Sequence, residues 1–374
     1  MQEFINEKNH QAPTGRNSSA QVAGLCEAKG MEYLPAQFFS SFKIKSPNFN
    51  NNYKQALYPS FRSACVTDIK PIILMKPYIV VVGSSNTDMV VKAARLPAPG
   101  ETVLGGTFMM SAGGKGANQA VAAARLGGNV VFIAKTGDDI FGKQAIELFK
   151  QEGIDTSYII SGAENPSGVA LITVDANGEN CIVVASGANA ALKPADLQPA
   201  KHIIENAALI LIQLEIPLET VEYVVARATA KNVKVVLNPA PACSLPDILL
   251  RSISIITPNE TEATLLTGIK VNGRESAEAA ARALGAKGIE TVIITLGAEG
   301  ALLLHDGLCH FFAAPVCDAV DTTAAGDVFN GALVVALFSG QNILEAVPFA
   351  IRAASISVCR MGAQASAPYL HELN

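Results

Sequence analysis

Tyr78-Ile79-Val80-Val81-Val82-Gly83 is an unbroken apolar run that stops at a glycine. A strand with one wet face alternates apolar and polar residues, so a run with no polar face is a strand covered on both sides. The pattern recurs at Ala208-Leu209-Ile210-Leu211-Ile212, Lys234-Val235-Val236-Leu237, Ile253-Ser254-Ile255-Ile256 and Thr291-Val292-Ile293-Ile294, with a further strand over 129–134. Helical stretches lie between the strands, at 115–126, 195–206, 217–231, 259–267 and 275–286. This alternation predicts an α/β chain, a three-layer sandwich around a mainly parallel sheet. Such sheets bind ligands beyond the carboxyl ends of their strands. Gly83, Asn238, Thr257 and Leu296 are then expected to share one edge. Two segments, about 87–111 and 168–186, break the pattern. They read as antiparallel strands, the second pair turning at Asn177-Gly178, and predict a small β lid over the ligand edge or a pairing surface between subunits.

The chain has 374 residues, 49% of them hydrophobic, with 30 glycines, which is room for one large α/β domain plus an extension, or for two domains. Residues 1–76 hold nine of the 22 aromatic residues and the cluster Asn50-Asn51-Asn52, and show neither strand nor helix periodicity. They read as a loosely ordered extension ahead of a domain at 77–374. Glu3 and Glu7, with no apolar core after a basic start, argue against a secretory signal and an organellar transit peptide. Met75, just ahead of the first strand, is an alternative start of translation. A net charge of −5 leaves no footprint for nucleic acid or an anionic membrane. No apolar run approaches the ~18–20 residues that cross a bilayer. The seven cysteines form no C-x-x-C pair and the five histidines show no ligand spacing, so free thiols in a reducing cytoplasm are expected.

The candidate chemistry centres on Val320-Asp321-Thr322-Thr323-Ala324-Ala325-Gly326-Asp327-Val328-Phe329-Asn330-Gly331. Its left side reads as the end of a strand and its right side as the start of an apolar helix. Small residues turn the corner, so free N–H groups at the helix start can face an anion. Asp327 there can either cap the helix or serve as a base beside a phosphate. After the first strand, Asn86 and Asp88 can grip vicinal hydroxyls or simply make a turn. That stretch lacks the three glycines of a dinucleotide fingerprint, which disfavours a nicotinamide-dependent oxidoreductase. Ala112-Gly113-Gly114-Lys115-Gly116-Ala117-Asn118-Gln119 opens a helix but is no Walker loop, because Met109 and Gly116 stand where Gly and Ser/Thr are needed. Glu215 follows a strand. Asn259 and Glu262 open a helix, where they can reach magnesium or form a capping box. Thr295-Leu296-Gly297-Ala298-Glu299-Gly300 follows another strand, with glycines that can admit a nucleotide.

Taken together, Gly-Gly-Lys-Gly-Ala-Asn-Gln at 113–119, Gly-Ala-Asn-Ala at 187–190, Gln-Leu-Glu at 213–215, Asn-Pro-Ala-Pro-Ala at 238–242, Thr-Pro-Asn-Glu-Thr-Glu at 257–262 and Asp-Thr-Thr-Ala-Ala-Gly-Asp at 321–327 occur in one order. The segment from about residue 78 onward resembles the ribokinase family of sugar and nucleoside kinases. That resemblance implies ATP-dependent phosphorylation of D-ribose on its 5-hydroxyl. It implies Asp327 as general base, with the N–H groups of Ala325, Gly326 and Asp327 as anion hole. It assigns ribose to Asn86, Asp88, Gly114, Lys115, Asn118 and Glu215. ATP falls to Asn259 and the run Thr295, Leu296, Gly297, Ala298, Glu299 and Gly300, with Mg2+ held through water by Glu262. A potassium ion would sit at Asp321, Thr323, Ser357, Arg360, Gly362 and Ser366, mostly on backbone carbonyls. The lid would also clasp a homodimer. The chain departs from the family at Ile351, where Asn or His often nears adenine, and at Ala365, where proline is frequent. The alternatives are a kinase for fructose, deoxyribose or adenosine, and a non-catalytic sugar sensor.

Overall fold

The computed structural model describes residues 76–373. The reading of 1–75 as an extension lies outside the described residues. The chain opens on β1 (Ile79–Val82), leaves for β2 (Asn86–Lys92) and β3 (Thr107–Gly113), and returns through α1 (Lys115–Arg125) to β4 (Val130–Gly137). Helix α2 (Ile140–Gln151) leads to β5 (Asp155–Gly162), and β6 (Gly168–Val174) and β7 (Asn180–Ala185) form an outlying hairpin. Then come α3 (Lys201–Glu205), β8 (Leu209–Ile212), α4 (Leu218–Thr229), β9 (Lys234–Leu237), α5 (Asp247–Leu250) and β10 (Ile255–Ile256). Helices α6 (Glu260–Thr267) and α7 (Arg274–Ala286) precede β11 (Thr291–Thr295) and the hairpin of β12 (Gly300–His305) and β13 (Leu308–Ala313). Two long helices follow, α8 (Ala325–Phe338) and α9 (Ile343–Ser357).

One nine-stranded sheet runs in the order β13-β12-β11-β10-β9-β8-β1-β4-β5, parallel from β11 to β5 with the last hairpin antiparallel. Its strands read as unbroken apolar runs because both faces are covered. Ile79 and Val81 join a core with α1, α8 and α9, while Val80 and Val82 join the opposite core with α4, α6 and α7. Each of these β1 side chains is fully buried, which stabilises the fold by about 1.5–3 kcal/mol apiece. A charged residue at any of the four would break the layer it faces. The register then decides the site: Val82 pairs with Ile212, Ile212 with Leu237, and Leu237 with Ile256. Gly83, Asn238 and Thr257 therefore emerge on one edge, as the sequence reading expects, with Gln213 between Gly83 and Asn238.

The smaller sheet runs β3-β2-β6-β7, antiparallel in its two outer pairs and parallel between β2 and β6. Three boundaries differ from the sequence reading. The expected helix at 195–206 is a 3-10 turn over Pro194–Leu197 followed by the five-residue α3, because Pro199 interrupts the ladder between them. Within the lid segment expected at about 87–111, the second strand begins only at Thr107, since Gly105 and Gly106 both have positive φ and leave the pleat, and it runs on to Gly113. The segment ahead of Asp327 is not a strand. The N–H groups of Val320 and Asp321 donate to the Val358 carbonyl at the end of α9, not to a sheet neighbour. Among the described residues, no helix is long and apolar enough to cross a membrane.

Candidate active site

Asp327 is the third residue of α8 and is 6% exposed. It does not cap the helix. The N-cap position is Ala324, whose side chain cannot accept a hydrogen bond, and the Asp327 carboxylate instead points at α1. There Asn118 Nδ2 donates to Oδ2 at 2.9 Å and Gln119 Nε2 donates to Oδ1 at 2.9 Å. Burial pushes the carboxyl above its ordinary range, while Lys115 and the two amide donors pull it back and Glu215 pushes it up again. A buried carboxylate with a raised affinity for protons suits a general base.

The chain reaches α8 by an unusual turn. Ala324 has φ +60, a left-handed conformation that costs a residue with a Cβ about 1–3 kcal/mol. The turn leaves the start of α8 open. The Ala325 N–H reaches only the Thr322 carbonyl, at 3.3 Å, and the N–H groups of Gly326 and Asp327 have no acceptor among the described residues. Orphan donors at a helix start favour an anion. They face a cavity of about 170 Å³ lined by Lys115, Asn259, Glu262, Thr295, Ala325, Gly326 and Asp327, among others. The structure thus gathers residues from four elements that sequence reasoning assigned separately to sugar, nucleotide and metal.

The sugar candidates come together around α1 and the root of the lid. Gly114 has φ +90, and a Cβ there would stand 2.7 Å from the Asn86 N, so only glycine lets β3 turn into α1 at this distance. Any side chain at Gly113 would overlap the Asp88 carboxylate. Asp88 is pushed up to about 6 by burial first, then by the negative charges of Glu215 and Asp327. Three carboxylates around one space, with Lys115 among them, form an acceptor-rich cluster that suits a polyhydroxylated ligand. Glu215 also braces the backbone. Its Oε2 accepts from the Lys115 N–H at 3.0 Å and from the Ser84 hydroxyl, pinning the start of α1. Asn86 is held as well, its Oδ1 accepting from Asn189 Nδ2 at 2.7 Å. Asn118 Oδ1 is buried with no partner.

For the nucleotide and metal candidates the picture divides. Asn259 and Glu262 do form the capping box: the Asn259 side chain accepts from the Glu262 N–H at 2.8 Å and Glu262 accepts from the Asn259 N–H at 2.9 Å. Both still line the cavity, so capping and contact with a hydrated cation are compatible there. Glu262 is pushed upward by burial. Thr295 lines the same cavity, whereas Leu296 is 4% exposed in the core and Gly297–Glu299 form a 3-10 turn outside it. Gly300 closes on the Phe312 carbonyl in the β12–β13 hairpin.

Of the potassium candidates, Asp321, Thr323 and Gly362 meet directly. Asp321 accepts from the Thr323 N–H at 2.9 Å and from the Gly362 N–H at 2.8 Å. Burial works against these bonds, yet they hold its carboxyl below the usual range, so it stays ionised. Ser357 and Ser366 hydroxyls donate to the carbonyls of Ala354 and Ala363, and the Arg360 guanidinium pairs with Glu372. The Arg360 guanidinium is therefore spoken for, while the two hydroxyls, as donors, keep their lone pairs and could serve a cation along with the backbone carbonyls. An anionic carboxylate in a loop of carbonyls fits a weakly hydrated monovalent ion.

Sequence reasoning left out a buried amide network behind Asp327. Gln213 Nε2 donates to Gln119 Oε1 at 2.5 Å, Gln119 Nε2 donates to Asn238 Oδ1 at 3.0 Å, and Asn238 Nδ2 donates to the Thr257 carbonyl at 3.2 Å. Thr257 Oγ1 then donates to Asn330 Oδ1 at 2.6 Å, and Asn330 Nδ2 to the Gly326 carbonyl at 2.8 Å. All of them lie at strand ends or in motifs quoted above, and their burial in polar form was the missing signal.

Residues 76–370 match the model of the pfkB family of carbohydrate kinases. The chain belongs to that family. A ribokinase of Haemophilus influenzae is 47% identical over 298 residues, covering 80% of this chain and 97% of the relative. A deoxyribokinase of Salmonella typhimurium is 38% identical over 298 residues, covering 79% and 97%. The structure of Arabidopsis thaliana ribokinase complexed with ribose and ATP aligns with a TM-score of 0.76 at 35% identity, covering 80% of this chain and 98% of that one. As a pfkB carbohydrate kinase the chain is an enzyme of phosphoryl transfer, and its cavity lies at the edge where the sheet's strands end.

Proposed function

We propose that this carbohydrate kinase phosphorylates D-ribose at O5 with ATP, giving D-ribose 5-phosphate and ADP. The observation that carries the reading is Asp327, buried between two amide donors at the head of α8, next to the free N–H groups of Gly326 and Asp327. High identity to a ribokinase over nearly its whole length supports ribose as the sugar. The sugar O5 attacks the γ-phosphorus in line. Its proton passes to a carboxylate oxygen of Asp327 while the bond from the γ-phosphorus to the bridging oxygen of ADP breaks. The helix start stabilises charge on the transferring group, as preorganised donors do. Asn86, Asp88, Gly114, Lys115, Asn118 and Glu215 hold the sugar, and Asn259, Thr295 and the turn through Gly300 hold the nucleotide.

Glu262 would hold magnesium through water, supplying charge neutralisation to the phosphates, and the loop of Asp321, Thr323 and Gly362 would hold potassium. The lid excludes water that would otherwise hydrolyse ATP. Its exposed Phe108, Met110, Leu171 and Val183 share one face of the smaller sheet, an apolar face suited to a homodimer clasp. A cytoplasmic setting, where ATP is present, is part of the same reading.

The test is ADP release from the purified chain with ribose, deoxyribose, fructose and adenosine, with and without potassium. Turnover highest with ribose and raised by potassium is expected. Preference for fructose or adenosine overturns the substrate, and the 38% identical deoxyribokinase makes deoxyribose the comparison that matters most. Ribose binding in calorimetry without ADP formation overturns catalysis in favour of a sensor.

A further inference from the structure

Gln119 touches Asp327 but no part of the cavity lining includes it, and it is fully buried. A glutamine sealed behind a carboxylate is expensive unless each of its polar atoms is used, and here each is. Its Oε1 accepts from Gln213, and its two N–H groups go to Asn238 Oδ1 and Asp327 Oδ1. The amide has one workable orientation. Flipping it would set its oxygen against the Asp327 carboxylate and Asn238 Oδ1, and its nitrogen against Gln213 Nε2. Asn238 cannot turn to compensate, because its Nδ2 is committed to the Thr257 carbonyl. Asn118 differs: it is 7% exposed where Gln119 is sealed, and its Oδ1 has no partner, so nothing but Asp327 fixes its amide.

We propose that Gln119, locked by Gln213 and Asn238, is the positioning residue that fixes the plane of the Asp327 carboxylate and keeps it ionised for proton transfer. The proposal rests on the reading of Asp327 as base. The division of labour follows from the bonds: Asn118 can exchange Asp327 for a substrate hydroxyl, whereas Gln119 donates to Oδ1 at every stage. Oδ2 is then the oxygen that receives the proton. The other ionisable groups facing Asp327 are Lys115 at the start of α1, Glu215 after β8, Asp88 on β2 and Glu262 on α6. None of the four makes a hydrogen bond to its carboxylate, so Gln119 is the fixed donor that opposes the repulsion of three acids.

The test compares kcat against pH for the parent and Gln119→Met, a side chain of similar length that cannot donate. Loss of one hydrogen bond to a buried charge moves the acid limb of kcat upward by about 1–2 pH units. A role in stability alone lowers the melting temperature, or lowers kcat equally at every pH, and leaves the limb in place; that result overturns the proposal. If Gln119→Met does not fold, the smaller Gln119→Leu carries the test. It too cannot donate to Asp327, and an unmoved limb there overturns the proposal equally. Titration of the Asp327 carboxyl by 13C NMR in the full chain without substrates separates the two readings. An upward shift in the variants with no turnover in the parent sinks the kinase assignment and keeps the positioning. Turnover in the parent with no shift in either variant sinks the positioning and keeps the kinase.

Discussion

Replacing Asp327 by Asn tests the site most sharply, because the surrounding bonds predict two outcomes of opposite kind. A carboxylate accepts on both oxygens, and here Asn118 and Gln119 each donate to one. An amide accepts on one side only. The Gln119 amide is held by Gln213 and Asn238, so the new oxygen must face Gln119 and the new NH2 must face Asn118. Asn118 can turn, since its Oδ1 is buried without a partner and a flip gives it one. The variant therefore exchanges one hydrogen bond for another and keeps their number. It also replaces a buried charge, which desolvation disfavours, with a neutral group. Melting temperature measured by calorimetry is expected to match or exceed the parent. Turnover, in contrast, loses its base and falls by roughly 10²–10⁴-fold. Sugar binding by calorimetry is expected to persist, because Asp88, Lys115 and Glu215 are untouched. Near-parental ADP release refutes Asp327 as base. A melting temperature lower by more than about 4 °C, on the order of 1 kcal/mol or more, refutes the argument from a flipped Asn118.

Other outcomes follow from single residues. Asp88, pushed up to about 6, is ionised above that pH and protonated below it, so the KM for sugar is expected to rise as pH falls through 6. In an Asp88→Asn variant this pH dependence disappears, and its persistence assigns it elsewhere. Gly116→Ala places a Cβ 2.6 Å from the Gly83 carbonyl carbon and the Ser84 N, both main chain. Overpacking of this kind costs about 1–3 kcal/mol, and a melting temperature within about 1 °C of the parent would show that α1 can move. Asp321→Ala removes the acceptor that joins Thr323 to Gly362. Its turnover is expected to lose its response to added potassium, and a parental potassium curve would exclude this loop as the cation site.

Much of the fold is visible in the chain because burial on both faces writes itself into composition: β1, β8 and β9 are apolar at almost every position, and a parallel sheet follows. Elements with weaker patterns are harder to bound. Only two residues of the stretch at 253–256 pair as β10, and the segment before Asp327 looks like a strand by composition but lacks a strand to pair with. Of the site, the backbone turns are legible where glycine is obligatory, as at Gly114, and the charged groups are legible as motifs. At Asn259 and Glu262 the spacing allows a capping box or a cation contact, and the structure forms the box without removing either residue from the cavity.

By itself, the sequence determined that strands would be buried, that their ends would carry polar motifs, and that a helix would start at the small residues before Asp327. Those are local properties, set by periodicity, turn chemistry and the cost of burying polar groups. Tertiary structure alone decided what Asp327 does with its carboxylate. Asn118 and Gln119 are 209 and 208 residues away in the chain, and Gln213 and Asn238 arrive from two further strand ends. Register between strands brings these amides to one point, and hydrogen-bond direction there makes Asp327 an acceptor facing the cavity when its position in α8 alone would equally have allowed a cap.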